Sequence, residues 1–410
     1  MTRQLSRAVP GSMKATFVDR RRDKAGARGR TAASFVDFCG CFSCKSTSTL
    51  ATRLSIPTSA LMLATCLAAE PCAAQDAAAL SDAGTRAIEA RRFGDARDAF
   101  TKAAAVRPRD VSICFGAGVA AFMLGHDDEA QTRFECALAL KPGFVPAAIW
   151  LADLHYRAGR LAEAIAIYEA AQRHSPDAVH LQRQLEAWRK EQALQSTFLD
   201  VQTEHFVALF QVASHEPRAR TILGQLENAY SRIGNTLGVY PARRITVVLY
   251  TREQYAHITG LAEWSAAAYD GRIRVPLGDV LETTEIDRVL SHEYVHALVA
   301  IAGGRTVPAW LNEGLASVLT GAVDIEAALA TTDVRPPLSK LHASFAGFST
   351  RSEADAAYAS AARAVRRLID RRGMAAVVDL LRDLGRGTPF ARAFQHRIGM
   401  RYEDFASSTP

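Results

Sequence analysis

A chain of 410 residues, 49% of them apolar, can build two or three domains with sizeable cores, which excludes global disorder. Its net charge of +6 is unevenly placed: residues 1–75 hold eleven Lys/Arg against four Asp/Glu, which leaves about −1 for the remainder. No basic face is implied for the folded part, and nucleic acid is excluded as a partner.

The first 75 residues read as a leader. They are polar and Arg-rich as far as about residue 50, a stretch that reads as lying upstream of the true start. "RLSIPTSALMLATCLAAEPCAAQ" then has the form of a secretory signal. Arg53 supplies the positive start, Leu54 to Ala69 the apolar run, and the small residues at 72–74 a cleavage site before Gln75. The run is too short for a stable membrane span. "LATC" at 63–66 approaches a lipoprotein box, but Thr65 stands where a smaller residue is wanted. The Ala- and Arg-heavy composition suggests a bacterial source, so the expected destination is the periplasm. "CGCFSC" at 39–44 has metal-like spacing but no matching second pair.

A period of 34 residues follows. Ala96, Ala130 and Ala164 are in register, as are Phe100, Phe134 and Tyr168, then Ala103, Ala137 and Ala171, then Pro108, Pro142 and Pro176. Small residues let paired helices cross closely, an aromatic fills the gap between pairs, and proline stops the second helix. These positions resemble the tetratricopeptide repeat, with Gly125 and Gly159 in its mid-repeat turn and Gly94 shifted nearby. The amphipathic "AVHLQRQLEAWRKEQAL" predicts a capping helix over 178–196. The expected array covers 76–196, and the resemblance implies a concave face that holds a protein partner. Cys114 and Cys136 fall on the two helices of the middle repeat. They read as small buried hydrophobes, with a disulfide as the alternative in an oxidising compartment.

From residue 200 the pattern changes. "EHFVALFQV" and "RITVVLYT" predict strands, and "RARTILGQLENAYSRIGNTLG" and "REQYAHITG" predict helices. Asp270-Gly271 between two strand-like runs predicts a hairpin with a two-residue turn. Everything later is helical, broken at Gly303-Gly304, Gly373 and residues 387–389. Strands first and helices afterwards predict an α+β domain rather than alternating βαβ units, spanning 200–408.

The chemistry concentrates in "RVLSHEYVHALVAIAGG", residues 288–304. On a helix, His292 and His296 lie one turn apart, about 6 Å along the axis, and their imidazoles can converge on one metal ion. Glu293 borders the same site without taking a coordination position. Three ionisable groups beside the apolar face of Ile286, Val289, Leu290, Leu298, Val299 and Ile301 would be costly without a shared partner. A second helix, "PAWLNEGLASVL" at 308–319, is placed to return Glu313 as a third ligand. Two histidines, one carboxylate and an open position describe a catalytic Zn2+ site.

These motifs resemble the gluzincin metallopeptidases, in particular peptidase MA-like domains found beside tetratricopeptide repeats; Asn312-Glu313 matches the family's Asn-Glu pair. The resemblance implies a zincin-like α+β fold with a mostly helical C-terminal part, Zn2+ as cofactor, His292, His296 and Glu313 as metal ligands and Glu293 as general base. It also implies Tyr358 as the oxyanion-stabilising residue and the hairpin at 265–276 as the strand beside which a peptide substrate lies. Some gluzincins have an Asp four residues after the ligand glutamate to orient the first histidine, and Ser317 stands there in this chain. His205 and His257 lack companions at ligand spacing and read as ordinary histidines. The expected activity is peptide-bond hydrolysis, with the repeats recruiting substrate or adaptor and separable from cleavage. The competing expectation is an interaction scaffold whose peptidase-like domain is inactive.

Overall fold

The computed structural model describes residues 69–176, 178–259, 267–277, 283–321, 336–345, 348 and 350–408. The CGCFSC run, LATC and most of the leader lie outside them, as do residues 260–266, 278–282 and 322–335. Seven helices come first: α1 (Ala69–Glu89), α2 (Phe93–Val106), α3 (Val111–Met123), α4 (Asp127–Leu140), α5 (Val145–Arg157), α6 (Leu161–His174) and α7 (Val179–Gln195). They pack as three antiparallel pairs and a cap. The in-register alanines and aromatics are all buried, none more than 5% exposed, as interlocking of successive pairs requires. Each of the three prolines stands two residues beyond a helix end.

The mid-repeat turns need a left-handed residue. Gly125 (φ 79°) and Gly159 (φ 78°) supply it, but in the first repeat the equivalent place, 34 residues earlier, is Arg91 at φ 56°. Gly94 is instead inside the first turn of α2, so the shift expected there is a substitution of the turn residue. Helix α3 is buried on every side from Ile113 to Phe122.

Cys114 and Cys136 form a disulfide joining α3 to α4, with Cα atoms 6.0 Å apart; the reading as simple apolar packing is thereby corrected. Sequence cannot show which faces of two helices meet, so the pairing was open. The bond closes a loop of 22 residues, which restricts the unfolded chain by about 3 kcal/mol. The Cys114→Ser/Cys136→Ser variant is expected to unfold at correspondingly lower urea than the oxidised wild type, and equal midpoints would disprove the link.

The second part contains β1 (Leu199–Gln202), β2 (Phe206–Phe210), α8 (Glu216–Leu237), β3 (Ile245–Thr251), α9 (Arg252–Thr259), β4 (Ala268–Tyr269), β5 (Ile273–Leu277) and α10 (Thr283–Gly303). A 3-10 turn at Gly304–Thr306 leads into α11 (Ala309–Thr320), and α12 (Arg351–Gly385), broken by a kink at Gly373 (φ 78°) as expected, α13 (Phe390–Ile398) and α14 (Tyr402–Ser407) follow. The sheet order is β1-β2-β3-β5-β4. β2 runs parallel to β3, and β3 to β5, while β1 and β4 are antiparallel at the edges. Helices α8 and α9 lie in the two parallel connections, so βαβ crossovers are present where an α+β arrangement without βαβ units was expected. A parallel pair must be joined by a crossover, and a hydrophobic pattern does not reveal strand direction. The β4–β5 turn has three residues, not two, because Tyr269 pairs with Ile273.

Both faces of the sheet are covered. One carries Phe206, Ala208, Phe210, Val247, Leu249, Ile273 and Val275 into the main core with α8, α10, α11 and α12. On the other, Val248 and Tyr250 pack with Tyr255 of α9 and with Leu194 and Phe198 from the end of the array. Arg272 and Arg274 of the hairpin are 1% and 0% exposed, and Glu191 of α7 is 3% exposed. Arg274 donates to Glu191 (2.8 Å), Tyr250 Oη (2.8 Å), Tyr156 Oη (2.7 Å) and Asp270 (3.0 Å). Arg272 adds a 3.3 Å contact to Glu191 and lies 4.6 Å from the Tyr156 ring centroid. This ionic cluster bolts α5 and α7 of the array to β3 and β5. Among the described residues no helix is long and apolar enough to cross a membrane.

Candidate metal centre

Helix α10 turns Leu290, Tyr294, Ala297 and Leu298 into the core. The two histidines lie at the border of that face, their side chains 16% and 12% exposed. Ile301, expected on the apolar face, is instead 49% exposed, while Ala302 beside it packs against the core and Gly303 is buried. Helix α11 starts after Pro308 and buries Trp310, Leu311, Leu315 and Ala316. Gly314 lets it approach α12 closely: a Cβ there would come within 2.4 Å of the Ala361 carbonyl oxygen. That approach brings the turn of α12 carrying Tyr358 beside the helix carrying Glu313.

The Nε2 atoms of His292 and His296 lie 3.4 and 3.5 Å from Glu313 Oε2. The separations are long for N–H···O hydrogen bonds, and Glu313 Oε2 is buried without a hydrogen-bond partner. An unpartnered carboxylate oxygen in such a place is costly. Ligand bonds of about 2.0–2.1 Å at tetrahedral angles put neighbouring ligand atoms about 3.3 Å apart, close to the spacings found. The donor set and its orphaned oxygen therefore fit a zinc ion. The imidazoles meet edge to face, their centroids 4.8 Å apart. His292, Glu293 and His296 also bring ligand-type atoms within 4.8 Å of one another.

His296 Nδ1 lies 3.0 Å from Asn312 Oδ1. With the amide oxygen accepting, Nδ1 holds the proton and Nε2 keeps its lone pair for a metal. Asn312 entered the sequence reading only as a motif letter; its place beside Glu313 on the second helix was the available signal. Ser317 is buried with an unpartnered hydroxyl, so no carboxylate orients the first histidine from that position.

Burial pushes the Glu293 carboxyl up to about 7, the charge of Glu313 adds to this, and His296 opposes it. Burial also pushes Glu313 upward, but His296 and His292 outweigh it and hold the group below the usual carboxylate range. Tyr358 is raised well above the usual phenol value, first by Glu313, then by burial and Glu293. Its hydroxyl therefore stays protonated, a donor. Its ring centroid lies 6.5 Å from that of His292. Outside this cluster, His205 bonds Glu227 at 2.7 Å and stacks on Tyr230, and His257 is exposed.

The family description "Tetratricopeptide repeat" matches residues 81–130 and again residues 128–188. Among solved structures, the chain is similar to the first such domain of Spaghetti (RPAP3) bound to an HSP90 peptide, at 21% identity. That match covers 29% of this chain and 98% of the other, with a TM-score of 0.28. The first such domain of the human RPAP3 protein matches at 20% identity, over 29% of this chain and 94% of the other, also at 0.28. No curated protein matches the chain. Residues 81–188, whose in-register alanines and aromatics are buried, are tetratricopeptide repeats, a class of helical array that binds protein or peptide segments.

Proposed function

We propose that the protein is a zinc-dependent peptidase whose helical repeats hold a protein substrate or adaptor. The observation that carries this reading is the convergence of two imidazole Nε2 atoms on one buried, unpartnered carboxylate oxygen, with a buried acid alongside. His292, His296 and Glu313 would hold the zinc, which supplies Lewis acidity and lowers the pKa of a bound water. Glu293 would take a proton from the water that attacks the peptide carbonyl and pass it to the leaving nitrogen. Tyr358 donates its hydroxyl to the oxygen that gains charge as the peptide carbonyl is attacked. The Cys114–Cys136 bond supports export to an oxidising compartment, the periplasm in this reading. Because α3 is closed from Ile113 to Phe122, a partner of the array would not be met by a groove centred on α3.

The second reading, an interaction scaffold with an inactive peptidase-like part, is favoured by the repeats themselves. The two separate on metal content and turnover. Wild type is expected to carry one zinc per chain, and His292→Ala to lose it. Glu293→Gln is expected to keep zinc while peptide-library turnover falls about 10²–10⁴-fold. Stoichiometric zinc with no wild-type cleavage of any peptide would favour the scaffold, and absence of zinc would end the peptidase reading.

A further inference from the structure

We propose that the repeat array is part of the frame of the metal centre, with Arg305 as the positioning residue that sets Glu313 against the two histidines; this rests on the metal-binding reading above. His292 and His296 belong to α10 and Glu313 to α11, so the ligand set closes only if the corner between these helices holds one angle. Glu313 stands four residues into α11, about 6 Å along its axis. A swing of about 10° at the corner would move that position by about 1 Å, several times the ~0.2 Å tolerance of metal–ligand distances.

The corner is gripped from the array. The Arg305 Nη1 donates to the Phe122 carbonyl oxygen (2.7 Å) and to Asp127 Oδ1 (2.7 Å), and Nη2 donates to Asp127 Oδ2 (3.0 Å). Its guanidinium carbon sits 4.0 Å from the Phe122 ring centroid. These partners flank the turn of the middle repeat, Phe122 in the last turn of α3 and Asp127 at the start of α4. Beside them Gly304, at φ 66°, lies so close to the same turn that a Cβ would come within 2.6 Å of the Leu124 carbonyl. Gly125, the turn residue of that repeat, faces Gly304 in return. The far side of the corner is closed by α12, where a Cβ on Gly385 would meet the Ala302 carbonyl oxygen at 2.4 Å. The last turn of the histidine helix is thus wedged between α12 and the middle repeat, and Arg305 is the polar clamp on the repeat side. Its side chain is 21% exposed, and its bidentate geometry with Asp127 is the directional kind that fixes orientation as well as charge.

The test uses the full chain and two metal probes, Zn2+ affinity by competition with a chelator and the visible spectrum of the Co2+ form, whose intensity reports tetrahedral coordination. Arg305→Ala is expected to weaken Zn2+ binding about 10–100-fold, the range typical for groups that orient ligands, and to dim the Co2+ bands. Asp127→Asn should produce a smaller change in the same direction, and Arg305→Lys should recover part of the loss. Wild-type affinity and spectrum in Arg305→Ala would overturn the positioning role, whatever happens to its melting temperature. Should Arg305→Ala fail to fold, an Asp127→Asn protein with unaltered Zn2+ affinity and Co2+ bands would overturn it equally. A wild-type chain that binds neither metal would overturn the metal reading itself, and this inference with it.

Discussion

A chain cut to residues 200–410 is expected to lose cooperative unfolding and to bind no zinc. The sequence suggests the opposite, a catalytic part that works without its repeats, because the pattern changes near residue 200. The packing reverses this. Val248 and Tyr250 on the outer sheet face are buried partly under Leu194 and Phe198, and the cut removes both. Exposing two such side chains would cost roughly 3–6 kcal/mol, against a typical total stability of about 5–15 kcal/mol. The same cut removes Phe122, Leu124 and Asp127 from the corner of α10 and α11. Near-ultraviolet circular dichroism and urea unfolding of the two proteins decide the matter. A truncated protein with a sharp transition at the wild-type midpoint and one bound zinc would show that the repeats are an independent appendage.

What could be read in advance follows the range of the interactions involved. Ala96, Phe100, Ala103 and their counterparts repeat because each solves the same local packing problem, so spacing alone exposed the array. His292 and His296 were legible because a helix fixes neighbours four apart, and Glu313 because one tight reversal separates the two helices. Arg91 in a left-handed turn was hidden, since its identity breaks the glycine pattern while its backbone keeps it. The direction of β2, β3 and β5 was hidden because a strand buried on both faces has the same pattern in either direction. The ionic cluster was hidden most deeply: Tyr156, Glu191, Tyr250 and Arg274 are far apart in the chain and meet only when the array docks. Arg274 on a short strand, with Arg272 in the turn before it, would ordinarily be read as part of a solvated edge.

That cluster yields the sharpest single-residue effect. Glu191 Oε1 accepts from Arg274 at 2.8 Å, from Arg272 at 3.3 Å, from Tyr250 at 3.1 Å and from Gln195 at 2.9 Å, while Oε2 accepts from Tyr156 at 2.8 Å. Replacing it by Ala leaves two guanidinium groups in the interior with one carboxylate, that of Asp270, still bonded to Arg274. Breaking a buried ion pair from one side costs about 3–5 kcal/mol, so Glu191→Ala is expected to reduce stability by that amount. Glu191→Gln, which keeps an accepting oxygen but not the charge, should be less damaging. The informative control removes both signs together. Glu191→Leu with Arg274→Met takes the leading pair out while filling its volume, and a well-packed apolar replacement of a buried ion pair is often neutral or stabilising. Recovery in the double variant, measured as a coupling energy from the four urea midpoints, would mean that the charges set the alignment of the array on the sheet more than they strengthen it. If Glu191→Ala alone unfolded at the wild-type midpoint, the two arginines would have to reach water without the carboxylate, and the interface would be looser than its buried geometry requires.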